Sequence, residues 1–284
     1  MRLSVSIFLF FTVTSALAET SVWKISNGVQ YLFIAGTIHV LARSDYPLPG
    51  AFNDSYRQSQ KVYFETDIEG VNNIEFQKKM LTALSYKDGK TLKTALKTDT
   101  YNRLASYCQS VGLPIEALHN LKPGVVSISL TLTELQRLGL AGSGVDNYFY
   151  QLAIKDKKLI GQFETVDQQL GFIINMGVGQ ENELIESTLD EIKDLPKLMK
   201  QLKGAWREGN SKRLDEIAVK NIRLEFPQLY KNLFLDRNNA WLPKIETMLN
   251  TNEIEMVLVG AGHLVGRDGI IDQLIRKGYK VQQL

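Results

Sequence analysis

Cysteine is almost absent from this sequence: Cys108 is the only one among 284 residues. A single thiol can form no internal disulfide and no cysteine-based zinc or iron–sulfur site, so a metal would have to be held by His, Asp or Glu. Cys108 sits in a helical pattern beside Tyr107 and Val111, where packing is the expected role. Histidine is nearly as scarce, with three in the chain, His39, His119 and His263, so imidazole chemistry has few addresses. An excess of charge of one sign is lacking too. The 33 Lys and Arg against 31 Asp and Glu leave a net charge of +2, which excludes the basic footprint of a nucleic-acid binder. There is no Gly-x-Ser-x-Gly elbow, Walker loop or Gly-x-Gly-x-x-Gly fingerprint, which weakens serine-hydrolase, kinase and dehydrogenase readings. Pro/Ser-rich linkers, low-complexity tracts and solenoid repeats are missing as well.

What is present begins with an address. Arg2 precedes an apolar run from Leu3 to Thr14, and Ala16-Leu17-Ala18 closes the segment before Glu19. This is the order of a secretory signal peptide, and the run is shorter than the roughly 20 residues of a membrane-spanning helix. The expectation is a signal peptide over 1–18 and a single domain over 19–284. That domain would be exported, to the periplasm or outside the cell, with no membrane span after cleavage.

Hydrophobic residues make up 44% of the chain, enough for a sizeable core, and their spacing defines its class. Val22–Ile25 and Val29–Ala35 flank Asn27-Gly28, a hairpin signal. Short strand-like runs recur at 61–64, 158–163 and 255–259, with a last one ending near Val281. Between them lie helical patterns at 74–84, 100–111, 125–138, 146–155, 166–176, 181–194, 195–208, 233–249 and 268–277. The fold class predicted is α/β: a central β-sheet covered by helices, with a largely helical middle segment.

The ends of the strand-like runs are the informative places. Leu32–Ala35 runs into Gly36-Thr37-Ile38-His39, and Val257–Val259 runs into Gly260-Ala261-Gly262-His263. Two of three histidines thus follow a strand by the same Gly-x-x-His offset, and glycine allows the backbone to turn or approach closely there. Two other strands end in carboxylates, at Glu65 and Glu164. In α/β sheets the carboxyl edge is where ligands bind, so these four groups are expected to converge. His119 fits no such pattern and is expected to be structural.

A set of His and Glu suits a divalent ion such as zinc, manganese or cobalt, with His39, His263 and Glu65 as ligands. Glu65 or Glu164 would then act as base toward an activated water. Arg237 falls on the apolar stripe of Phe234, Trp241, Ile245 and Met248 and is expected to point inward. It would pair there with Glu65, Glu164 or Asp67, or face a developing oxyanion, as a third catalytic residue.

The same residues carry a resemblance to the TraB/GumN family, whose eukaryotic relatives include the Tiki metalloproteases. The ordered words run from Gly36–His39 and Pro47-Leu48-Pro49 through Phe64–Asp67, Leu121-Lys122-Pro123 and Gly144-Val145-Asp146. They continue with Glu164-Thr165, Gln168-Gln169, Ala205-Trp206-Arg207, Arg237-Asn238 and Gly260–Gly266. Phe163 and Gly124 depart from the pattern, where an aliphatic and an aromatic residue are usual. The resemblance implies an erythromycin esterase/ChaN-like fold and a hydrolase site on the paired Gly-x-x-His motifs. The resulting expectation is an exported, metal-dependent hydrolase acting on a peptide or small molecule, a peptidase first. The alternatives are a metal-independent esterase or amidase with a histidine base, and a non-catalytic protein that sequesters a peptide or other ligand.

Overall fold

The computed structural model describes residues 19–70, 74–87, 89–140 and 142–284. The expected signal peptide lies outside the described residues. The strands are β1 (Val22–Ser26), β2 (Tyr31–Thr37), β3 (Val40–Leu41), β4 (Lys61–Thr66), β5 (Gly142–Ser143), β6 (Leu159–Glu164), β7 (Glu255–Gly260) and β8 (Lys280–Gln283). Six of them form one sheet in the order β6-β4-β7-β2-β1-β8, while β3 and β5 make a small separate ribbon. β6, β4, β7 and β2 are parallel, and β1 runs antiparallel to both its neighbours. The inner strands β7 and β2 are buried almost throughout, as parallel strands covered on both faces must be.

The opening hairpin is present, with its tip one residue later than the Asn27-Gly28 pattern suggests. Asn27 N donates to Gln30 O at 3.2 Å, and Asn27 Oδ1 accepts from Val29 N and Gln30 N. Gly28 and Val29 therefore make the turn. The φ of +99° at Gly28 is the left-handed conformation that favours glycine.

The helices are α1 (Gly50–Gln58), α2 (Ile74–Leu84), α3 (Leu92–Ala95), α4 (Thr98–Ser110), α5 (Pro123–Arg137), α6 (Val145–Lys155), α7 (Val166–Asn175), α8 (Glu181–Arg207), α9 (Ser211–Ala218), α10 (Lys220–Glu225), α11 (Pro227–Tyr230), α12 (Asp236–Met248) and α13 (Ile270–Arg276). A π-helical turn, Lys231–Leu235, leads into α12. The two helices expected at 181–194 and 195–208 are one. Pro196 removes a backbone donor, but Ile185, Leu189, Ile192, Leu195 and Met199 keep one buried stripe across it.

Adjacent residues of β4 show how the sheet is covered. Tyr63 meets Phe163, whose ring stacks on Trp241 of α12 at 5.3 Å. Phe64 points the other way and meets Tyr150 of α6 edge-on. Phe163 thus joins Tyr63 to Trp241 in an aromatic stack that an aliphatic residue would interrupt. Gly124 has a packing reason as well: a Cβ there would come within 2.7 Å of Met176 Cβ, so glycine lets α5 close on the end of α7. A second hydrophobic cluster of Leu104, Cys108, Val126, Leu130, Ile185 and Leu189 joins α4, α5 and α8. Burial there pushes the Cys108 thiol up to about 11, consistent with packing and not with a nucleophile.

Candidate active site at the carboxyl edge of the sheet

His39, Glu65, Glu164 and His263 all stand at or just beyond the carboxyl ends of the four parallel strands. The two Gly-x-x-His glycines serve close approach. A Cβ on Gly36 would lie 3.1 Å from Ala261 Cβ, and one on Gly260 would lie 3.2 Å from Glu65 Oε1 and 3.7 Å from His39 Nε2. The end of α8 pins the first motif, because Trp206 Nε1 donates to Gly36 O at 2.7 Å.

Arg237 is buried at the centre, as its place on the apolar stripe of α12 predicts, and its five donors are all engaged. Nε and Nη2 grip Glu164 at 2.8 and 2.9 Å, and Nη2 also reaches Glu65 Oε2 at 2.6 Å. Nη1 faces Leu233 O at 3.3 Å and His263 Nε2 at 3.1 Å. The guanidinium lies against Phe172 and Trp241, with Cζ 5.0 and 4.7 Å from the ring centroids. A guanidinium has five N–H groups, so none is left for a substrate oxyanion. Arg237 is a clamp that bridges two buried carboxylates and fixes His263. Asp67, an expected partner, instead accepts from Glu69 N and Gly70 N. Trp241 Nε1 adds a donor to Glu164 Oε1 at 2.9 Å.

His263 has its tautomer set by Asn238. The Asn238 amide donates to His263 O and Asp268 O, which turns Oδ1 toward His263 Nδ1 at 2.7 Å. Nδ1 must carry the proton, and Nε2 offers its lone pair to Arg237. Burial between Phe234 and Trp241 drives the imidazole down to about 3, so it stays neutral.

His39 is the opposite case. Its side chain is 65% exposed, and Nδ1 meets Asp146 Oδ1 at 3.0 Å, which leaves Nε2 free. The Asp146 carboxylate holds the imidazole above the usual histidine range. Gly144 makes this contact possible, since a Cβ there would fall 2.3 Å from the His39 carbonyl. Val145 N then bonds Ile38 O, and Asp146 follows at the start of α6. Burial works to raise Glu65, yet His263, Arg237, His39 and the Gly260 amide together hold it down at about 2.

These groups border a cleft of about 340 Å³ that includes His39, Glu65, Gln169, Arg237 and His263. Larger depressions, about 940 Å³ beside Tyr46 and Tyr148 and about 530 Å³ against β1 and β8, contain no histidine. Asp146, Asn238, Trp241 and Gln169 were not anticipated as site residues, although three of them fall in the family-like words. His119 lies exposed on the helical layer.

The sequence model of the TraB/PrgY/gumN family matches residues 21–283. The chain belongs to the TraB/PrgY/gumN family. A curated relative, Metalloprotease TIKI2 of Xenopus tropicalis, is 24% identical over 306 residues, covering 89% of this chain and 57% of that protein. The chain therefore spans little more than half of that relative's length. No solved structure matches it. Among the described residues no helix is long and apolar enough to cross a membrane.

The relative's name raises the question of a metal, and the place of Arg237 bears on it in this arrangement. His39 Nε2 is free, but His263 Nε2 and Glu65 Oε2 face Arg237, Glu65 Oε1 accepts from Gly260 N, and both Glu164 oxygens are engaged. Among the described residues, no group of three or more His, Cys, Asp or Glu could hold a metal ion. The expected ligand set of His39, His263 and Glu65 does not fit a divalent ion while Arg237 sits among it. The guanidinium occupies the position between the two carboxylates and His263 that the ion would take.

Proposed function

We propose that this TraB/PrgY/gumN chain is a hydrolase, a peptidase first, working in the cleft at the carboxyl edge of the sheet. One observation carries the reading: His39 is anchored through Nδ1 on Asp146 and presents a free Nε2 beside a hydrogen-bonded group of Glu65, Glu164, Arg237 and His263. His39 is the proton carrier. In its neutral form Nε2 takes a proton from the attacking water, and as imidazolium it returns that proton to the leaving nitrogen. Asp146 orients the ring and stabilises the imidazolium. Glu65 stays ionised and adds a fixed negative charge facing His39. Arg237 and Asn238 hold the rest in place. Resemblance to a protein named a metalloprotease supports the peptide bond as the first substrate class.

Metal-dependent hydrolysis is the second reading. The relative's name and the free His39 nitrogen favour it, and it requires Arg237 to withdraw from His263 and Glu65. The reading also includes export, with a mature chain that begins Glu19-Thr20-Ser21.

The test is a peptide-library cleavage screen on the 19–284 chain, run over a range of pH with and without chelator, alongside elemental analysis. Because Asp146 raises the His39 pKa, turnover is expected to increase from neutral toward alkaline pH and to survive chelation. Turnover lost with chelator and restored by one added ion would replace the first reading with the second. No cleavage under either condition would leave a binding protein.

A further inference from the structure

The cleft has two lobes that meet at Thr37, His39, Glu65 and Gln169, and their walls differ. The larger, about 340 Å³, is lined on its outer side by Ile38, Leu202, Ala218, Leu233 and Phe234. The smaller, about 190 Å³, lies between Thr37, Thr66 and Asp146 over a floor of Phe64, Ile68 and Leu258. Thr37 and Thr66 end β2 and β4, the strands on either side of β7. Both hydroxyl oxygens are buried, and neither has a hydrogen-bond partner. Buried polar atoms in folded proteins are almost always paired, so these two hydroxyls beside one small cavity are available to a polar group bound there.

We propose that the two lobes bind the side chains on either side of the scissile bond. A bulky apolar side chain of leucine, methionine or phenylalanine fills the larger lobe, and a small hydroxyl or amide side chain of serine, threonine or asparagine fills the smaller. This rests on the hydrolase reading and names its substrate class. The small lobe, little more than half the volume of the large one, favours the shorter side chain of the pair, while the threonine hydroxyls favour a polar group over a methyl group of the same volume. The apolar wall of the large lobe gives no hydrogen bond to a polar side chain and rewards buried hydrocarbon. His39 Nε2 stands where the lobes join, which places the bond between the two residues next to the proton carrier.

The test reads binding and cleavage separately. Capped dipeptides pairing leucine with serine, in both orders, are titrated by NMR against the same peptides with valine in place of serine. Wild type is expected to prefer serine over valine on the order of ten-fold. Thr37→Val with Thr66→Val, which keep shape and remove the hydroxyls, should abolish that preference and leave the valine peptides unaffected. Ala218→Phe, which narrows the large lobe, should weaken every leucine peptide alike. A serine preference that persists in the double threonine variant overturns the proposal, as does equal binding of serine and valine by wild type or no binding at all. Binding with the expected selectivity but without cleavage would keep the two pockets and overturn the hydrolase. Cleavage without the selectivity would do the reverse.

Discussion

The two Gly-x-x-His motifs are the same word in sequence and opposite objects in structure. His39 is largely exposed, paired with a carboxylate and held toward its charged form. His263 is buried, paired with an amide and held neutral. The partner on Nδ1 and the depth of the ring decide which imidazole can exchange protons with a substrate. His39 is the one the proposed function assigns to proton transfer. His263 is a framework piece that accepts a bond from Arg237.

Removing each histidine's distinguishing feature tests this contrast. His39→Ala should have the largest effect, a loss of turnover of about 10²- to 10⁴-fold with a melting temperature lowered no further than in Asp146→Asn. An equal loss in stability would mean His39 belongs with His263 as framework. Arg237→Met acts on the other half. It leaves two buried carboxylates and the His263 lone pair without their cation, so urea denaturation should show a loss of about 3–5 kcal/mol. A loss below about 1 kcal/mol would show that Glu65 and Glu164 find other donors. Asn238→Asp makes the second motif resemble the first. It removes the amide that donates to His263 O and Asp268 O, at a cost of about 1–3 kcal/mol, and should move the His263 pKa upward in an NMR titration. A pKa left near 3 would mean that burial alone sets it.

Asp146→Asn should have the smallest effect on stability, and its sign follows from linkage. The folded pKa of His39 lies above the unfolded value of about 6.5. Its contribution is complete below that value and fades as pH rises through the folded pKa. The melting-temperature gap between wild type and Asp146→Asn should therefore be widest near pH 6 and close in alkaline solution. His263 works in the other direction, since the unfolded chain takes up its proton first and stability falls as pH drops from about 6.5 toward 3. A gap that widens with pH would contradict the assignment for His39.

Much of the site was legible because it is local. His39, Glu65, Glu164 and His263 each follow a strand within a few residues, so a run of apolar residues and a glycine were enough to place them. Arg237 was legible from helical spacing, and its direction inward followed from the neighbours on its stripe. Its use of all five donors was not legible, because the acceptors come from β4, β6, the turn before α12 and the loop after β7. Asp146 escaped for a related reason. It reaches His39 through a contact between Gly144 and the His39 backbone, and β3 and β5 at that contact have two residues each, too short for any periodic pattern. Pro196 misled because a proline is a strong local break signal, while the continuous stripe of α8 is decided by what packs against it.

The position of β7 has a consequence for the order of assembly. It comes near the end of the chain, yet it lies between β4 and β2, two of the earliest strands. During synthesis the amino-terminal strands wait for a partner made some two hundred residues later, and long-range pairing of this kind is slow to nucleate. Glu65, Arg237 and both histidines become neighbours only after residues 255–263 have entered the sheet. A ribosome-bound or truncated chain lacking them holds at most the His39–Asp146 pair, so the complete cluster arrives in one step with completion of the fold.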